Sequence, residues 1–66
     1  MQPIPPTIQE SLEGLLRKLY DAQHHNPLDL MQIERRKQDY VLILCRALIK
    51  GYDITDMLWK YKEVID

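Results

Sequence analysis

The chain predicts an all-α fold: a small three-helix domain with a long central helix, built as a helical hairpin plus a short C-terminal helix. Three observations lead there. Apolar residues recur at three- and four-residue spacing through most of the sequence. Residues that start and stop helices stand at the ends of those stretches. Residues 40–49 are almost wholly apolar or aromatic, with Arg46 the only charge. Such a run must touch neighbours on more than one side.

The first six residues hold three of the four prolines. Proline lacks an amide donor and favours extended geometry in the residue before it, so 1–6 is expected to be an extended arm. Either it stays free, or Ile4 docks on the domain or on a partner. Residues 7–66 form the domain. Thr7 and Glu10 match the capping-box pattern, in which each satisfies a free amide of the other. Ile8, Leu12, Leu15, Leu16, Leu19 and Ala22 then draw one apolar face of ordinary width. Glu13 and Arg17 are placed to pair one turn apart on the wet side. Gly14 lies off the stripe and reads as a tolerated surface glycine.

Asn26-Pro27 marks the hairpin turn, with Asn26 or Asp29 as the next cap. The second helix is expected over about 28–50. At 100° per residue, Val41, Leu44, Cys45 and Leu48 form the centre of an apolar arc of roughly 200°, about twice the ordinary stripe. Ile43 points the other way, towards Asp39, Arg46 and Lys50. Gly51 closes the helix, because glycine accepts the left-handed conformation. Asp53 caps a third helix with Asp56 in its first turn. Ile54, Met57, Leu58, Tyr61 and Ile65 share one face of that helix, Trp59 stands well away from it, and Lys60 can pair with Asp56.

Sixty-six residues bury only about 60% of their unfolded surface, so such a core is marginal. Disulfides, a metal or a second copy usually supplement it. Cys45 is the sole cysteine, which rules out an internal disulfide and suits a reducing compartment. His24 and His25 are adjacent and diverge on a helix, and no second cluster completes a tetrahedral site. Oligomerisation remains. Nine basic and ten acidic residues leave a formal charge of −1, which attracts neither nucleic acid nor an anionic membrane at range. No apolar run spans a bilayer and the start is no secretory signal, so a cytoplasmic location is expected.

No catalytic constellation emerges, and no cofactor or small-molecule substrate is implied. Two glycines cannot build a phosphate loop, the only serine lies in the first helix, and Asp53 and Asp56 are explained by capping. The expected function is that of a non-enzymatic protein–protein interaction module, a regulatory, adaptor or inhibitor subunit. It would act by helix-face docking as a homodimer or within a larger assembly. Ile43, Trp59, Tyr52 and Tyr20 are the candidate contacts, aromatic residues being enriched in binding hot spots. Helix, Gly51 turn and helix also resemble a DNA-binding helix-turn-helix, which supplies the alternative. Against it, Asp53 and Asp56 stand where phosphates would approach. Asn26-Pro27, Leu30, Ile33 and Tyr40 are similar to needle and inner-rod subunits of type III secretion systems over about twenty residues. Lys37, Gly51 and the capped third helix depart from that family's continuous terminal helix, and the family is not adopted.

Overall fold

The computed structural model describes residues 1–24 and 30–65. The element order is β1 (Gln2–Pro3), α1 (Pro6–His24), α2 (Leu30–Ile49), β2 (Tyr52–Asp53) and α3 (Thr55–Ile65). The all-α, three-helix fold is as expected. The Asn26-Pro27 turn, His25 and the Asp29 cap lie outside the described residues.

The proline-rich arm docks. Gln2 and Pro3 run parallel to Tyr52 and Asp53, and the Gln2 amide donates to the Gly51 carbonyl at 3.1 Å. Ile4 then packs on the core. Helix α1 starts two residues earlier than the capping-box reading required. The Pro5 carbonyl accepts the Gln9 amide at 3.0 Å, which puts Pro6 at the first helical position. There a proline's missing donor does no harm. Thr7 is consequently inside the first turn, where its carbonyl accepts the Ser11 hydroxyl, and it does not cap.

The apolar face of α1 is as read from the sequence: Leu12, Leu16, Leu19 and Ala22 are buried, while Ile8 and Leu15 are half-buried. A Cβ at Gly14 would meet open space. Glu13 does not pair with Arg17. It accepts from Gln9 at 3.2 Å and pairs with Lys60 of α3 at 3.6 Å, so the ion pair links two helices instead of two turns. Lys60 is for the same reason turned away from Asp56.

The packing centre differs from the expectation. Helix α1 approaches both α2 and α3, whereas the backbones of α2 and α3 come close at few points and Tyr40 ties the two. Tyr40 is fully buried and donates its phenol hydroxyl to the Met57 carbonyl at 2.6 Å. Its ring stacks on Tyr61 at 4.8 Å between centroids, tilted by 10°. With Leu12, Leu16, Leu44 and Met57 it forms the core, and Ile8, Ile54, Tyr61 and Val64 pack around it. Burying each large side chain contributes roughly 1.5–3 kcal/mol.

That anchor rotates α2. Its buried residues are Tyr40, Leu44 and Ala47, with Ile43 half-buried against the core. Of the expected centre of the arc, only Leu44 is buried; Val41, Cys45 and Leu48 are exposed. The buried stripe lies about a quarter turn from where the sequence placed it. Ile43 shares a hollow with Arg46 and Lys50, as expected, but Thr7, Ile8 and Ser11 of α1 line the same hollow and the side chain is half-buried against the core.

Gly51 ends α2 at φ +92°, donating its amide to the Leu48 carbonyl at 3.0 Å. Asp53 caps α3 as expected: its carboxylate accepts the Thr55 amide at 3.0 Å and the Thr55 hydroxyl at 2.6 Å. Those two bonds, the hydroxyl first, hold the Asp53 carboxyl below its ordinary pKa.

Candidate protein-docking surface

The rotation of α2 leaves half of its apolar arc outside. Leu42 is 49% exposed, Ile49 85% and Met31 83%, and Val41, Cys45 and Leu48 lie beside them. Isolated exposed hydrophobics are ordinary, but a contiguous patch is informative. Three shallow hollows make this one contiguous. Leu30, Met31, Glu34, Arg35 and Gln38 line the first. Glu34 and Gln38 also line the second, with Val41, Leu42, Cys45 and Tyr61. Tyr61 in turn lines the third, with Leu58, Trp59, Lys62 and Ile65. The surface thus runs along α2, apolar at Leu30 and Met31 and again at Val41 and Leu42 with Glu34, Arg35 and Gln38 between them, and crosses Tyr61 onto α3.

The four residues singled out from the sequence do not come together. Trp59 is 59% exposed at the α3 end of this surface, with the Lys62 ammonium 5.4 Å from its ring centre, a cation–π distance. Tyr20 stands on the last turns of α1, its ring 4.4 Å from the His24 ring. Tyr52 is half-buried in β2 opposite Gln2. Ile43 lies under α1, so the premise that it lacks cover is corrected. Leu58, assigned from its spacing to the buried face, is half exposed beside Trp59. Sequence reasoning did not single out Val41, Leu42, Cys45, Leu48 and Ile49 as contacts; it placed Val41, Cys45 and Leu48 at the centre of the wide arc. The excessive width of the arc was their signal.

Electrostatics around this surface is mild. Asp53 and Asp56 occupy the start of α3, while Lys60 is engaged with Glu13 and Lys62 with Trp59. Tyr40 has its pKa pushed up to about 12, first by burial and then by Tyr61 and Glu13. Its proton is bonded to the Met57 carbonyl inside the core. Among the described residues no group of three or more His, Cys, Asp or Glu is gathered to hold a metal ion. None of their helices is long and apolar enough to cross a membrane. Compared with known proteins, the chain matches no protein-family model, no curated protein and no solved structure.

Proposed function

We propose that this protein is a non-enzymatic interaction module, a regulatory, adaptor or inhibitor subunit that works by docking the α2–α3 apolar face. The exposed apolar residues along α2, chiefly Met31 and Leu42, joined across the half-buried Tyr61 to Trp59, carry this reading. Covering such a surface is favourable at about 25 cal/mol per Å² of apolar area. Trp59 is the anchor, tryptophan being enriched among the residues that dominate binding, and Leu42 adds apolar area along α2. Ile43 has no part in the contact, being occupied with α1.

The alternative of a helix-turn-helix DNA binder draws less support. Asp53 and Asp56 stand at the start of α3, and its lysines are engaged within the molecule. Retention on non-specific DNA that falls with added salt, and falls further in Lys62→Glu, would favour it.

The test is affinity capture from the cells that encode the protein, comparing wild type with Leu42→Glu, Trp59→Ala and the opposite-face control Arg17→Glu. Specific binding should be lost in the first, weakened in the second and kept in the third. Equal capture by all three overturns the docking face.

A further inference from the structure

We infer that the occupant of the α2 face is a second copy of this chain, packed antiparallel about a two-fold axis midway along residues 38–49. The inference rests on the docking-face reading and specifies its partner.

Surface area points to association with something of its own size. A compact monomer of 7.9 kDa exposes about 4,400 Å² by the usual size scaling, whereas this chain exposes 4984 Å². Its radius of gyration is 12.0 Å, against about 11 Å for a compact chain of its length. Among the described residues ten large hydrophobics are exposed and only eight hydrophobics are buried. The surplus over the whole chain is on the order of 500–600 Å², against the roughly 800 Å² each partner gives to a standard interface, and Val41, Leu42, Leu48 and Ile49 place part of it on α2.

The spacing identifies the seam. Met31, Arg35, Gln38, Leu42, Cys45 and Ile49 succeed one another by four and three residues in strict alternation, and all six are exposed. That is the repeat of a two-helix coiled-coil seam. Asp39 and Arg46 flank it on one edge, Glu34, Val41 and Leu48 on the other. Among the described residues, neither Asp39 nor Arg46 takes part in an ion pair.

Charge selects the arrangement. A parallel pairing sets Arg35 against its own copy in the seam and Glu34 beside the partner's Asp39, a contact the two-fold repeats, so like charges meet three times. In one antiparallel register Asp39 meets the partner's Asp39. One heptad away, Leu42 layers on the partner's Cys45 and Gln38 on the partner's Ile49. Along one flank Asp39 then faces the partner's Arg46, and the two-fold repeats that contact. Along the other flank Val41 faces the partner's Leu48. In this register every flanking contact is complementary, over a shared length of roughly 18 Å.

Sedimentation of the purified full chain across a dilution series tests this. Wild type should move from twice its chain mass towards a single mass on dilution. Asp39→Arg and Arg46→Asp should each raise the dimer dissociation constant by roughly tenfold, with helix content unchanged. The double variant should return most of that loss. Cys45 alkylation should slow at least several-fold as dimer accumulates.

A wild type that stays monomeric at every concentration overturns the second copy. If Leu42→Glu still abolishes capture in that case, the docking face stands with another protein on it; if it does not, both readings fall. A dimer indifferent to the single charge reversals, or not restored by the double, overturns the antiparallel register.

Discussion

Replacing Tyr40 by Phe removes one atom and tests the contact that orients α2. The lost bond is short, 2.6 Å, and its donor is fully buried. Met57 lies one turn inside α3, so its carbonyl keeps the helical bond from the Tyr61 amide and is not orphaned. The cost at neutral pH is therefore that of a typical intramolecular bond, about 1 kcal/mol. For a domain of this size that lowers the melting temperature by roughly 4–8 °C. Stacking on Tyr61 survives, since the ring is unchanged. The pH dependence provides the sharper test. The folded-state pKa of Tyr40 is raised from 10.0 to about 12, so its contribution is complete below pH 10. It declines as pH climbs from 10 through about 12, where the unfolded chain loses its proton first. Urea unfolding followed by circular dichroism, at fixed protein concentration and several pH values between 7 and 12, measures both proteins. The advantage of wild type over Tyr40→Phe should be level to pH 10 and then shrink. A difference that stays level to pH 12, or no difference at neutral pH, refutes the buried phenol as the α2–α3 tie.

Four further perturbations follow from the same structure. Leu12→Ala should cost about 2–5 kcal/mol and leave little folded protein, because a chain of this length has only about 3–10 kcal/mol in total. Leu42→Ala should leave the isolated fold within about 0.5 kcal/mol of wild type, read from the melting temperature of dilute samples. Gly51→Ala meets no atom within 4 Å, so its cost is the backbone's alone. A left-handed residue with a Cβ implies roughly 1–2 kcal/mol, visible as a lower denaturation midpoint. Asp53→Ala should lower the melting temperature at pH 7 and flatten its acid limb. The contribution of the Asp53 carboxylate is present above the ordinary Asp pKa and is lost as pH falls through the lower folded value. An acid limb unchanged from wild type would mean the cap is not coupled to folding.

How the sequence and the structure agree follows from the range of the interactions involved. Local chemistry was legible: the α1 stripe, the Gly51 stop and the Asp53 cap each depend on residues within a turn or two. Thr7 is the local exception, since two prolines beside it offered a competing start and the proline at the first helical position prevailed. The rotation of α2 was not legible from periodicity. Its arc was too wide to choose a centre, and the choice fell to Tyr40, whose hydroxyl finds a carbonyl seventeen residues away. Once that bond is made, Ile43 turns under α1, and Val41, Cys45 and Leu48 turn out. Glu13 and Lys60 changed partners for a similar reason, each being nearer in space to another helix than to its own next turn. The candidate docking face was thus present in the sequence as surplus hydrophobicity, while its location depended on a tertiary hydrogen bond.

The parallel clip between Gln2–Pro3 and Tyr52–Asp53 has a consequence for the order of folding. Made first, the bond from Gln2 to Gly51 would close a loop over residues 2–51, at an entropic cost of about 3–4 kcal/mol against one or two backbone bonds. Made last, it orders only the short arm on helices already assembled. The clip should therefore form late and open early, in the manner of a weakly held local unit. Amide exchange at Gln2 would then be faster than at Leu44, and it would report the arm's release without any unfolding of the helices beneath.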